Sequence, residues 1–171
     1  EMSGKKAQAF TFLEKHVQMH SNDIPSAMLL AERQIGKDRA AAIKTYEQVL
    51  AKTPDNFVVL NNLAFLALED KKLTRAEELA KKAVSLQREN ADAADTLAQI
   101  YIAKGDKAAA LKLYEEVAAR PIANDDVYLN YVSVLLELDK KALASRKLAS
   151  REFKSEAAKQ RAESLKQQYG L

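Results

Sequence analysis

Apolar and polar positions along the chain follow a helical rhythm set inside a longer period. Ala42, Ala76, Ala110 and Ala144 lie 34 residues apart, and four residues after each come Tyr46, Ala80, Tyr114 and Leu148. Ahead of them Leu63-Ala64, Leu97-Ala98 and Tyr131-Val132 keep the same spacing, and Leu30-Ala31 joins the series if the first repeat is one residue short in its turn. Residues four apart share a helix face, so each unit reads as two helices meeting along one seam. The pattern predicts helices at about 5–19, 24–35, 38–52, 55–69, 74–87, 91–104, 107–119, 125–138, 140–152 and 154–169, and no strand. Short linkers make neighbouring helices antiparallel, and each pair leaves an apolar face that only the next pair can cover.

Turn chemistry agrees with this division. Asp55 or Asn56 can cap the helix that follows, because a short side-chain oxygen satisfies the free N–H groups of a first turn. Thr74 and Glu77 have capping-box spacing, which predicts a helix start at Leu73-Thr74. Gly105-Asp106 closes one helix and opens the next, and Pro54 sits between units, where its missing N–H does no harm.

Composition narrows the function classes. Apolar residues are 47% and charged residues 30% of the 171, which suits one globular unit, and four Gly with three Pro supply too little turn chemistry for an all-β fold. The absence of cysteine excludes disulfides, thiolate metal sites and cysteine nucleophiles. No apolar run approaches the roughly 20 residues that span a bilayer. The opening Glu1-Met2-Ser3-Gly4 reads as the start of an excised piece, so any targeting signal is expected outside it.

The third unit, with Leu97-Ala98, Tyr101, Gly105-Asp106, Ala110 and Tyr114, resembles the tetratricopeptide repeat, and the likeness covers about Ile24 to Ala158. It implies an all-α fold of helix-turn-helix repeats stacked into a right-handed α-solenoid with a C-terminal capping helix. The chain is read as a single domain, 1–171: a leading helix at 5–19 that is the second half of a preceding repeat, repeats at 24–56, 57–90 and 91–124, a degenerate repeat at 125–152 and a capping helix at 153–171. The structural seam comprises Leu30, Ala42, Tyr46, Leu63, Ala64, Ala76, Ala80, Leu97, Ala98, Tyr101, Gly105, Ala110 and Tyr114. In the degenerate repeat the turn glycine is missing and Arg151 stands where a small residue is usual. The phrases Pro54-Asp55-Asn56 and Leu60-Asn61-Asn62-Leu63-Ala64-Phe65-Leu66 are also similar to the carboxyl-terminal end of bacterial repeat lipoproteins that accompany exosortase and surface-protein sorting systems. That resemblance implies an envelope-facing, periplasmic or membrane-anchored parent whose lipid-bearing cysteine lies outside this chain; composition permits the cytoplasm equally.

Catalysis needs converging groups, and no phosphate loop, nucleophile elbow or His-Glu-x-x-His helix is present. His16 and His20 share a helix face by their spacing, but two ligands fall short of the three or four of a zinc site. The chain is therefore expected to be no enzyme and to need neither metal nor cofactor. The resemblance implies instead a protein or peptide partner on the concave side lined by the first helix of each pair. Groove candidates are Met28, Glu32, Asn61, Phe65, Leu68, Asp95, Gln99, Leu129 and Ser133. Phe65 with Leu68 forms an apolar anchor if the two are exposed and a core contact if they are not. Asn61 and Asn62 offer amides for a peptide backbone. Glu32, Asp95 and Gln99 occupy the face on which chaperone-binding relatives use Lys, Arg and Asn, which disfavours a terminal carboxylate as ligand.

Residues 140–171 hold nine basic and three acidic side chains. This end could touch anionic lipid or nucleic acid through Arg146, Lys147 and Arg151, with Phe153 and Tyr169 as the aromatic residues available for stacking. A solvated capping helix is the favoured reading, so no nucleic acid is expected and membrane contact only through an anchor outside the chain. Self-association through exposed terminal repeats is the remaining alternative.

Overall fold

The structure is a computed structural model that describes residues 2–171, with side chains from residue 7 onward. Among the described residues there are ten helices and no strand: α1 (Met2–Met19), α2 (Ile24–Ile35), α3 (Arg39–Lys52), α4 (Phe57–Glu69), α5 (Leu73–Leu86), α6 (Ala91–Ala103), α7 (Lys107–Val117), α8 (Asp125–Glu137), α9 (Lys141–Ala149) and α10 (Glu156–Tyr169). Each predicted helix is present. None of them is long and apolar enough to cross a membrane.

The turns inside the helix pairs repeat with the sequence. Lys71, Gly105 and Asp139, spaced by 34, all have left-handed backbone, with φ of 59°, 86° and 58°. In each case the next N–H reaches back five residues, Lys72 to Ala67, Asp106 to Tyr101 and Lys140 to Leu135, at 2.9, 2.8 and 2.8 Å. These are the closing bonds of Schellman motifs, which satisfy carbonyls at a helix end. Asp139 thus takes the conformation of the glycine that the fourth unit lacks. The first pair turns differently: Gly36 is right-handed and the Asp38 N–H bonds Gln34 O four residues back, at 2.7 Å, which accounts for the residue missing from that repeat.

A left-handed lysine carries a Cβ clash that glycine does not. Lys71→Gly should therefore stabilise the protein by about 1 kcal/mol, partly offset by the greater freedom of glycine in the unfolded chain. Urea denaturation of the two proteins checks this, and a loss of stability would mean that the Lys71 side chain contributes more than its backbone strain removes.

Asn56, Asn90 and Asn124, again 34 apart, cap α4, α6 and α8; their Oδ1 atoms accept from Val59 N, Ala93 N and Asp126 N at 3.0–3.1 Å. Asn56, not Asp55, is thus the cap of α4. Asp38 and Asp106 cap α3 and α7 in the same way. Helix α5 begins at Leu73, within the start that the Thr74–Glu77 spacing predicts, and the Lys72 carbonyl accepts its first bond, from Ala76.

Two compact units are present, Glu1–Leu79 and Ala80–Leu171, dividing within α5. In the first, α2 pairs with α3, α1 packs on α2 and α4 on α3. Its core holds Leu30, Ala31, Ala42, Tyr46, Leu63 and Ala64, all buried as the seam requires. One polar pair lies in this core, Thr45 Oγ1 donating to Gln34 Oε1 at 2.8 Å.

In the second unit α6 pairs with α7, α8 packs on both and α9 packs on α8. Ala98, Ala110, Tyr114, Tyr131, Val132, Leu135, Ala144 and Leu148 form one buried cluster. Of the other seam positions, Ala76, Ala80 and Leu97 are buried, Tyr101 is half-buried and Gly105 is exposed at its turn. Alanine recurs where helices cross because a methyl group is what such a close approach admits. Helix α10 rests on α8 and α9, and only Ala158 and Ala162 of its fourteen residues are buried.

Candidate functional site

In the first unit the candidates fall on α2 and α4. Asn61, Phe65 and Leu68 lie at i, i+4 and i+7 and so form one stripe of α4. Phe65 is 48% exposed, which favours the anchor reading over the core reading, while Leu68 is half-buried. The Asn61 Oδ1 atom is enclosed yet has no hydrogen-bond partner. An enclosed amide oxygen without a donor is an unfavourable arrangement. On α2, Glu32 is exposed and Met28 is half-buried, with the Asn56 amide 3.5 Å from its sulfur. Asn62 is committed elsewhere: its Nδ2 donates to Tyr46 Oη at 2.9 Å, tying α4 to α3. Burial, with the Glu32 charge nearby, raises the Tyr46 hydroxyl pKa, and the Asn62 bond opposes the rise.

In the second unit Asp95 and Gln99 belong to a connected polar cluster. Tyr114 Oη donates to Asp95 Oδ1 at 2.5 Å and Asn130 Nδ2 to the same oxygen at 2.8 Å, while Gln99 Nε2 lies 3.4 Å from Tyr114 Oη. From α10, Arg161 Nη2 donates to Asn130 Oδ1 at 2.5 Å. Burial raises the Asp95 carboxyl above the ordinary range despite the hydrogen bonds from Tyr114, Asn130 and Gln99. The Tyr114 hydroxyl is pushed far up by its own burial and by the Asp95 charge.

A carboxyl whose folded pKa exceeds its unfolded one opposes folding progressively as pH rises from the unfolded pKa, about 4, through the folded value. Asp95→Asn should therefore raise the melting temperature at pH 7 and leave it unchanged near pH 3. An equal gain at both values would show that ionisation is not the cause.

Two candidates need correction. Leu129 is fully buried, in one cluster with Ala158 and Ala162 of α10, so it is no groove residue. Phe153 is likewise buried, with its ring edge-on to Tyr128 at 6.3 Å, and has no face to offer a base. Ser133 is half-buried and its hydroxyl donates to Leu129 O at 2.9 Å.

Arg151 is not a docking charge. Its guanidinium is 18% exposed and bonds Asp125 Oδ1 at 2.5 and 2.9 Å, Ile122 O at 2.7 Å and Ala123 O at 3.1 Å. It also lies 4.3 Å from the Tyr128 ring centre. Lys147 stands 4.7 Å over the Tyr131 ring, while Arg146 is exposed and reaches its own helix at Ala142 O. The local positive charge is thus partly spent inside the unit.

His16 Nε2 is 2.8 Å from Asp23 Oδ2, and its ring lies 4.7 Å from that of His20. Asp23 also accepts from Ser26, and with the His16 bond foremost these contacts hold its carboxyl at about 2. Among the described residues no group of three or more His, Cys, Asp or Glu could hold a metal.

Sequence reasoning missed Asn130 and Arg161. A signal existed for the first, since Asn62 and Asn130 sit two periods apart at one repeat position, and both bond another helix.

Comparison with known proteins agrees with this architecture. No curated protein matches the sequence. The crystal structure of MamA superposes with a TM-score of 0.73 at 14% identity, covering 97% of this chain and 94% of that one. MamA 41-end from Desulfovibrio magneticus RS-1 gives 0.72 at 14% identity, over 87% of this chain and 85% of that one. A tetratricopeptide repeat protein from Parabacteroides merdae ATCC 43184 gives 0.72 at 15% identity, over 87% and 59%. Two tetratricopeptide repeat models match residues 29–100 and 90–120, together more than half of the chain. With seams, caps and turns recurring at the same period, the chain belongs to the tetratricopeptide repeat family.

Proposed function

We propose that the chain is a non-catalytic scaffold that binds a protein or peptide on the faces of its first-position helices. The family mediates protein–protein interaction, and one observation directs that role to α4: Phe65, a large apolar ring left half exposed on a first-position helix. An extended peptide would place an apolar side chain on Phe65. The ready-made helix face lowers the ordering entropy that binding must overcome.

Phe65→Ala should reduce capture of the partner from an extract of the source cell at least tenfold while shifting the melting temperature little, because half of the ring already meets water. Undiminished capture, together with a large fall in melting temperature, would place Phe65 in the core and end this reading. The finer assignment we propose is an envelope-facing parent, lipid-anchored and serving protein sorting or exopolysaccharide export. It is supported by the Pro54-to-Leu66 phrases, and cell fractionation of the whole protein tests it: recovery with the cytoplasm would refute it.

A further inference from the structure

Helices α1 and α3 both pack on α2, and a cleft of about 640 Å³ lies between them. That volume falls within the roughly 300–1,000 Å³ of small-molecule sites. Val17, Ile24, Ala27, Leu30 and Val49 supply its apolar lining. The period places a cleft of the same kind in the second unit, where Ala94, Leu97 and Val117 repeat Ala27, Leu30 and Val49, but that one holds about 270 Å³.

A buried polar pair sets the first cleft apart. Gln34 and Thr45, 8% and 7% exposed, both line it, and the Thr45 hydroxyl donates to Gln34 Oε1. The other end of the amide, Nε2, donates to no described group. Among the described residues Asn61 Oδ1 is the one fully enclosed side-chain polar atom without a partner, so Gln34 Nε2 is not sealed in and opens on the cleft that Gln34 lines. The fold does not require an amide there, since the later repeats carry Ala67, Tyr101 and Leu135 at the position of Gln34, and the next two carry Leu79 and Leu113 at that of Thr45. An amide donor held in a largely buried side chain and left unmet is unfavourable, and an acceptor brought by a ligand would satisfy it.

The edge of the cleft on α3 is cationic. Lys44 and Lys52 share one helix face, about 12 Å apart along the axis. Lys52 Nζ bonds the Ser21 carbonyl and, at 3.1 Å, Asn22 Oδ1, at the end of the cleft where α1 turns into α2. Lys44 is exposed, makes no ion pair among the described residues, and adjoins the Thr45 that holds Gln34. Glu14 of α1 is the single acidic residue of the lining, so the cations outnumber it. Gln34, Leu30, Ala27 and Ile24 follow one another along one face of α2, from this donor end to the other.

We propose that the cleft binds a medium-chain fatty acid, with its carboxylate on Gln34 Nε2 and the Lys44 ammonium and its hydrocarbon chain along Leu30, Ala27 and Ile24. Burial of the chain drives binding, and the charge-assisted hydrogen bonds fix its direction. The site is separate from the Phe65 face of α4 and does not depend on the scaffold reading.

The test is calorimetric titration of the full chain with decanoate below its micellar concentration. One molecule should bind per chain and raise the melting temperature. Gln34→Leu should weaken binding at least tenfold without lowering the melting temperature of the free protein, because Leu135 fills the same repeat position. Decyltrimethylammonium, the same chain with a cationic head, should not bind. No saturable binding of decanoate, uptake of several molecules per chain, equal binding of the two amphiphiles, or undiminished binding by a folded Gln34→Leu chain would each overturn the proposal. If Gln34→Leu does not fold, Lys44→Glu replaces it, since that side chain is exposed; it too should lose at least tenfold in decanoate affinity, and unchanged affinity would overturn the proposal. Failure here with partner capture still lost in Phe65→Ala would remove this inference and leave the scaffold reading intact.

Discussion

Arg151→Ala should lower the unfolding free energy by about 3 kcal/mol, the lower end of what breaking an enclosed ion pair costs. The guanidinium is 18% exposed and its Asp125 partner 15%, so neither is screened as a surface pair would be. Its loss would leave the Asp125 carboxylate enclosed with the Lys154 N–H as its remaining donor, and would free the Ile122 and Ala123 carbonyls. The Tyr128 and Phe153 rings, 4.3 and 5.8 Å from the guanidinium carbon, would lose a packed cation. Lysine should not rescue it, since one ammonium cannot serve a carboxylate and two carbonyls in a plane.

A pH series separates the contributions. The Arg151 hydrogen bond holds the Asp125 carboxyl below the usual carboxylate range. Stability from a depressed carboxyl is fully present above the unfolded pKa, about 4, and is lost as pH falls through the folded value. The gap between wild type and Arg151→Ala should accordingly narrow below about pH 4. A gap that stays constant into acid would assign the effect to packing against the rings.

Tyr114→Ala should cost about 3–5 kcal/mol, as removal of large buried aromatic side chains does. Tyr114 is fully buried, and its ring stacks on Tyr131 with centres 5.6 Å apart. Tyr114→Phe keeps that packing and deletes the donor to Asp95, so it should cost only about 1–2 kcal/mol. The difference between the two variants isolates ring packing from the hydrogen bond. Equal losses in urea denaturation would mean that the hydroxyl carries the effect, and a neutral phenylalanine variant would mean that Asp95 needs no donor there.

Helix positions were legible because helix formation is written locally, in the spacing of Ala42, Ala76, Ala110 and Ala144 and in their caps. Leu129 and Arg151 were misread for the opposite reason. The period assigns Leu129 the place held by Asn61 and Asp95, and nothing near it in sequence says that this copy of the position will be fully buried. Arg151 looked like a departure from the repeat and one more charge in a basic end, since its partner Asp125 is 26 positions away. Phe65 was the reverse case: two readings fitted its pattern, and only three-dimensional packing could choose between them. The Asp95 cluster draws on α6, α7, α8 and α10, so no local segment of sequence contains it.

The recurring turn at Lys71, Gly105 and Asp139 bears on how such a chain changes length over generations. Each of these three pairs reverses direction through a bond confined to six consecutive residues, so a duplicated or deleted 34-residue segment brings or removes its own hairpin whole. Copy number can drift by complete units without a new turn having to arise. The pair joined at Gly36 is one residue out of phase, and recombination at matching positions would shift its seam by about 100° around the helix; it marks the place in the array where unequal exchange should be selected against.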